Sequence, residues 1–162
     1  MVVTVAAFQG SAMVTRLLVD TQANPRRLAE KLIGTNLEIP EKPQLGNRGT
    51  LVFSLSTSCH FCTASAPFYR KLAGKTATKT LGGVRIVAVL PENAVDAESY
   101  IRNTLGVSFD SVVRGSLSNV VATPTLLLLD SNGIVMAAWV GLLTADEEAI
   151  VTARVLSMSG AL

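Results

Sequence analysis

The chain has 162 residues, 14 Lys and Arg against 12 Asp and Glu, a net charge of +2 and a single histidine. That length suits one domain, whose folding removes roughly 70% of the unfolded chain's surface from water, so a core forms without disulfides or metals. A content of 49% hydrophobic and 16% charged residues excludes a disordered chain, and near-neutrality with no basic run longer than Arg26-Arg27 excludes a nucleic-acid footprint.

Residues 1–19 are mostly apolar but include Gln9 and Arg16. They lack the basic leading region and the small-residue cleavage site of a clean signal peptide. They also lack the uninterrupted run of about twenty apolar residues that a membrane helix needs. Two readings stand: an amphipathic helix docked on the core, or the lower end of a membrane anchor that starts upstream of residue 1. Arg16 suits a membrane-water boundary on the second reading.

Asn24-Pro25 predicts the start of a short helix, with Asn24 as its cap, Pro25 at the first helical position and Gly34 at its end. Residues 39–43 are expected to be extended, because Pro40 and Pro43 restrain the residues before them. Residues 46–49 are a predicted turn. From Thr50 onward the pattern is regular. Residues 51–55 and 84–90 are apolar runs suited to buried strands. Residues 58–73 and 93–105 are predicted helices, separated by a polar loop at 75–83. Residues 109–113 suit a short strand. Strands at 125–130 and 134–140 flank Ser131-Asn132-Gly133, a strong hairpin signal. Thr144 and Glu147 form a capping box that opens a last helix, running to about Met158.

A βαβ unit followed by a ββα unit predicts an α/β fold with a mixed sheet and flanking helices. The proline-bearing stretch divides an N-terminal arm, residues 1–38, from the regular domain, residues 39–162.

Only two cysteines are present, Cys59 and Cys62, too few for a multi-bridge scaffold. With one histidine, a Cys/His zinc site lacks a fourth ligand, and His60 is too close in sequence to chelate easily with both sulfurs. No metal or cofactor is expected. The motif Cys59-His60-Phe61-Cys62 falls where a buried strand ends and a helix begins. Unpaired N–H groups at a helix start favour a thiolate at Cys59, while Cys62, one turn in, is less accessible. The pattern is an attacking thiol backed by a resolving thiol. The plain alternative is a pair of ordinary buried cysteines or an inert disulfide. For His60, a merely solvated side chain stands beside a redox-tuning role in which its charge favours the Cys59 thiolate.

With these residues the sequence resembles the thioredoxin superfamily, and within it the membrane-anchored bacterial thiol-disulfide oxidoreductases, the TlpA/ResA-like redoxins. The resemblance spans about residues 39–158. It rests on the strand running into the CxxC motif, on Pro67 five residues beyond Cys62, on Ala122-Thr123-Pro124-Thr125 ahead of a strand, and on the Asn132-Gly133 hairpin followed by Val140-Gly141. It implies a thioredoxin-like fold, a kinked helix at Pro67 and a cis-proline at Pro124. A trans loop proline is the plain alternative there. Exposed apolar groups near an active cysteine serve recognition, so Phe61, Thr123 and Pro124 are expected to line a shallow surface for a thiol-bearing protein segment. Protein thiol or disulfide substrates and a redox partner, such as a membrane thiol-electron carrier, are the implied partners. The implied setting is extracytoplasmic, on the periplasmic side.

The sequence also departs from that family. Ser58 stands where tryptophan is usual and Phe61 where proline is frequent. Ser65 occupies the place of a glutamate that serves relatives as proton acceptor. The resemblance therefore leaves deprotonation of Cys62 to water or His60. Two other activities are open to a CxxC on this fold. A peroxiredoxin-type thiol peroxidase wants threonine and proline where this chain has Ser56 and Val52. A non-catalytic module would bind a partner or copper through the sulfurs.

Overall fold

The computed structural model describes residues 24–77 and 83–159. The anchor-or-helix alternative for residues 1–19 lies outside them. Among the described residues no helix is long and apolar enough to cross a membrane.

Helix α1 (Pro25–Leu32) opens as its sequence predicts: the Asn24 side chain accepts the Arg26 amide at 3.0 Å. Gly34, at φ 82°, turns the chain out of the helix. Residues 39–43 are not extended throughout. Glu41 and Lys42 have left-handed φ values of 56° and 44°, and the Lys42 amide donates to the Ile39 carbonyl at 3.2 Å. Burial of Ile39 fixes one side of this turn, and Pro40 lies against Gly115.

Strand β1 (Gly49–Ser54) leads into α2 (His60–Ala64) and α3 (Ala66–Ala77). The single helix expected at 58–73 is thus broken at Ser65, two residues before Pro67, whose ring and missing N–H are incompatible with an unbroken ladder. Strand β2 (Val84–Leu90) follows. Next comes α4 (Ala94–Ser99), capped by Asn93 and continued by a π-helical turn over Tyr100–Leu105 that Gly106 ends at φ 64°. Strands β3 (Ser111–Arg114), β4 (Thr125–Leu129) and β5 (Val135–Val140) complete the sheet. Helix α5 (Ala145–Ser159) closes the fold. Its capping box is reciprocal: Thr144 N donates to Glu147 Oε2 at 2.8 Å, and Glu147 N donates to Thr144 Oγ1 at 3.3 Å.

The sheet order is β3-β2-β1-β4-β5, with β1, β2 and β3 parallel, and β4 antiparallel to both β1 and β5. Alternate side chains sort into two core layers. Leu51, Phe53, Ile86, Ala88, Leu126 and Leu128 face helices α2 to α5, where Phe53 meets Tyr69 and Phe109 edge-on at 5.1 Å each. Val52, Val87, Val89, Leu127 and Leu129 face α1, through Ala29 and Leu32. The described part of the arm, residues 24–38, thus packs directly on the sheet.

Register decides what lies beside the cysteines. Ser54, the last residue of β1, pairs with Val89 of β2 on one side and with Thr125, the first residue of β4, on the other. The chain leaving β1, the chain leaving β2 and the chain entering β4 therefore meet at one pole of the sheet.

Candidate active site

Cys59 and Cys62 lie at that pole, joined as a disulfide with Cα atoms 5.3 Å apart. Cys59 is the cap of α2, and its sulfur accepts the Cys62 amide at 3.1 Å. A backbone N–H directed at a sulfur favours negative charge on that sulfur, so helix geometry biases the pair toward a thiolate at Cys59. Cys59 is partly buried, whereas Cys62 has no accessible surface. Reagents in solution meet Cys59 first.

His60 is exposed, its ring 5.8 Å from that of Phe61. Phe61 is 51% exposed, an apolar ring at the surface beside the two sulfurs. The Thr123–Pro124 peptide is cis, and Pro124 is buried next to the β4 residue that pairs with Ser54. The Pro124 carbonyl accepts the Gly141 amide at 2.8 Å, and Thr125 Oγ1 donates to the Ala122 carbonyl at 2.8 Å, so the turn is held at both ends. The register thus gathers Cys59, Cys62, His60, Phe61, Thr123 and Pro124 at one pole. Ser65, at the position of the missing glutamate, spends its hydroxyl on the Phe61 carbonyl at 2.8 Å. Among the described residues no cluster of three or more His, Cys, Asp or Glu side chains has the makings of a metal site.

Two polar residues at the site were not foreseen from the sequence. Glu92, in the turn after β2, places Oε1 within hydrogen-bond reach of three donors: Ser56 Oγ at 2.7 Å, Thr57 N at 2.8 Å and Thr57 Oγ1 at 3.1 Å. Burial pushes its carboxyl up, but the bonds from Ser56, the Thr57 amide, its own amide and the Thr57 hydroxyl outweigh burial and hold it below the usual carboxylate range. Its other oxygen, Oε2, is buried without a hydrogen-bond partner among the described residues. Tyr100, at the head of the π-helical turn, shares a 3.0 Å hydrogen bond with Thr63 in the motif helix. Burial raises the Tyr100 phenol, Thr63 lowers it, and the Glu92 charge raises it further. The signal for Glu92 was topological. In a βαβ unit, the turn after the second strand lies beside the turn after the first, so a carboxylate two residues beyond β2 reaches the CxxC approach.

No family model matches the sequence, and no curated protein matches it. Solved structures do. A putative thiol:disulfide interchange protein DsbE from Chlorobium tepidum is 23% identical, over 76% of this chain and 92% of its own, with a TM-score of 0.58. The thioredoxin domain of a thiol-disulfide oxidoreductase from Bacteroides vulgatus is 17% identical, over 76% of this chain and 97% of its own, at 0.56. A secreted Mycobacterium tuberculosis disulfide oxidoreductase is 17% identical, over 70% and 84%, at 0.54. Sheet order, the CxxC at the β1–α2 junction and these superpositions agree: the chain has the thioredoxin-like fold.

Proposed function

We propose that this protein is a thiol-disulfide oxidoreductase acting on protein thiols. The observation that carries the reading is the asymmetry of the pair: a cap sulfur at Cys59 that accepts a backbone N–H, bonded to a fully buried Cys62. In the reducing direction, the Cys59 thiolate attacks a substrate disulfide, forming a mixed disulfide and expelling one substrate thiolate. Cys62, having lost its proton, attacks Cys59 Sγ, closes the internal disulfide and expels the second thiolate. Two electrons pass to the substrate, and its two thiolates take up the protons released by the enzyme's thiols. The reverse sequence oxidises a dithiol.

Phe61 and Thr123 form the surface on which the substrate segment rests, with the buried Pro124 fixing the turn beneath it. An aromatic face and a fixed turn suit an extended peptide better than a small molecule. His60 tunes the pair by its charge. Similar solved structures include secreted proteins from Corynebacterium glutamicum and Mycobacterium tuberculosis, which supports an extracytoplasmic setting for this chain. There a redox partner, such as a membrane protein that passes electrons through thiols, would reset the pair. The peroxidase reading finds no such support. Val52 is buried within β1, where a catalytic proline would break the ladder, and the Ser56 hydroxyl is committed to Glu92.

The test is reduction of insulin disulfides by the dithiol form. Wild type is expected to precipitate the insulin B chain, and Cys59→Ser is expected not to. Wild type no faster than the free reductant, with peroxide consumed instead, would reject the reading.

A further inference from the structure

The thioredoxin-like pole of this chain holds a half-buried carboxylate that the exchange reaction itself does not use. Glu92 reaches back from the β2–α4 turn and binds the Ser56–Thr57 segment through three donors. The same segment forms the turn that presents the motif, since the Cys59 amide donates to the Ser56 carbonyl at 3.1 Å. Thr57 lies two residues ahead of Cys59, a span of at most about 7 Å of chain. With the 2.8 Å hydrogen bond, this puts the carboxylate within about 10 Å of the Cys59 backbone, which is about one Debye length at 0.1 M ionic strength. Among the described residues no cation pairs with Glu92, and its Oε2 is buried with no donor. The charge is therefore fixed, partly shielded from water and not neutralised locally.

Resting on the oxidoreductase reading, we propose that Glu92 is a positioning residue that clamps the approach to the CxxC motif and holds the pair toward the disulfide by its negative charge, making the protein the stronger reductant. The half-reaction adds two electrons and up to two protons to the Cys59–Cys62 disulfide, yielding a thiol at Cys62 and a thiolate or thiol at Cys59. A nearby anion destabilises the thiolate and leaves the neutral disulfide untouched. The dithiol state is thereby raised in free energy, and a destabilised reduced state is the mark of a reductant. The backbone N–H of Cys62 pulls the other way on the same sulfur, so Glu92 sets the balance between the two.

The experiment measures the equilibrium of the full chain with an uncharged redox buffer, 2-mercaptoethanol and its disulfide, at pH 7. Two equivalents of buffer thiol convert the protein disulfide to dithiol and leave one equivalent of buffer disulfide. Glu92→Gln keeps an acceptor oxygen for Ser56 and Thr57 while removing the charge. It is expected to favour the dithiol about tenfold more than wild type, or about 30 mV. Glu92→Asp keeps the charge and is expected to stay near wild type. Because screening is strong at 1 M salt, where the Debye length is about 3 Å, the gap between wild type and Glu92→Gln should shrink there. Should Glu92→Gln fail to fold, the His60→Ala protein carries the test, since without the imidazole charge 1 M NaCl should move its equilibrium toward the dithiol. A Glu92→Gln constant equal to wild type at low salt, or a His60→Ala equilibrium indifferent to salt, overturns the proposal. A wild-type disulfide that does not equilibrate with the buffer at all overturns the oxidoreductase reading, and the inference falls with it.

Discussion

Glu92 Oε1 accepts the Thr57 amide at 2.8 Å across 35 residues of sequence, and so ties the turn after β2 to the segment that delivers Cys59. The bond exists because β1 and β2 are parallel neighbours whose registers end together, Ser54 beside Val89. A charged side chain two residues past β2 is thereby brought to the motif's approach.

The bonds to Glu92 predict an acid sensitivity. Its carboxyl is held below its ordinary value in the folded protein, so the stabilisation is fully present above the unfolded pKa and is lost as pH falls through the folded pKa. Tyr100, the other titratable group coupled to it, stays neutral throughout that range. Urea midpoints are expected to fall more steeply from pH 5 to pH 3 in wild type than in Glu92→Gln. Parallel pH profiles for the two proteins would contradict this.

The exposure of the two sulfurs predicts their order of reaction. In the reduced protein Cys59 is expected to alkylate about tenfold or more faster than Cys62 at neutral pH, since one is an accessible cap and the other is buried. Cys62→Ser should accumulate mixed disulfides with substrates, and Cys59→Ser should trap few. Mass spectrometry of iodoacetamide-labelled protein reads the first, and non-reducing gels the second. Faster labelling of Cys62 would reverse the roles.

Phe61 offers a half-exposed ring beside the motif. Phe61→Ala is expected to lower kcat/KM for reduction of a protein disulfide about tenfold, the typical cost of removing an aromatic anchor. Reaction with a small disulfide should be unchanged. An equal loss toward both substrates would place the effect on the sulfurs and not on binding.

His60 is exposed on the first turn of α2, between the cysteines. His60→Ala is expected to raise the pH at which the Cys59 thiolate forms and to make the protein more reducing, with the fold unchanged. Thiolate absorbance at 240 nm, followed against pH in both proteins, reads the change. Coincident curves would mean that His60 does not tune the pair.

The Thr63–Tyr100 hydrogen bond joins the motif helix to the π-helical turn. Thr63→Val and Tyr100→Phe are each expected to cost about 1 kcal/mol in urea unfolding of the oxidised protein, because each removes the hydrogen bond. The double variant should cost less than the sum of the two. Additive costs would show that the bond contributes nothing to stability.

The sequence by itself determined the local structure. The caps at Asn24 and Thr144 each form the bonds their spacing predicts, and β2 occupies the same seven residues that its apolar run predicts. The hairpin turns at Asn132-Gly133, and the CxxC falls at a strand-to-helix junction. These features are set by contacts within a few residues, so their chemistry is written in adjacent letters. Where a local rule misled, a longer contact had intervened. The turn at Glu41 and Lys42 is a reversal, held between buried Ile39 and the chain that follows β3. What only the tertiary structure decided is the company of the cysteines. Ser65 is unremarkable in sequence and in place, whereas Glu92 and Tyr100 reach the motif only because the parallel strands β1 and β2 end side by side at one pole. A single sequence carries no record of strand register, and register is what carries a carboxylate from residue 92 to the threshold of Cys59.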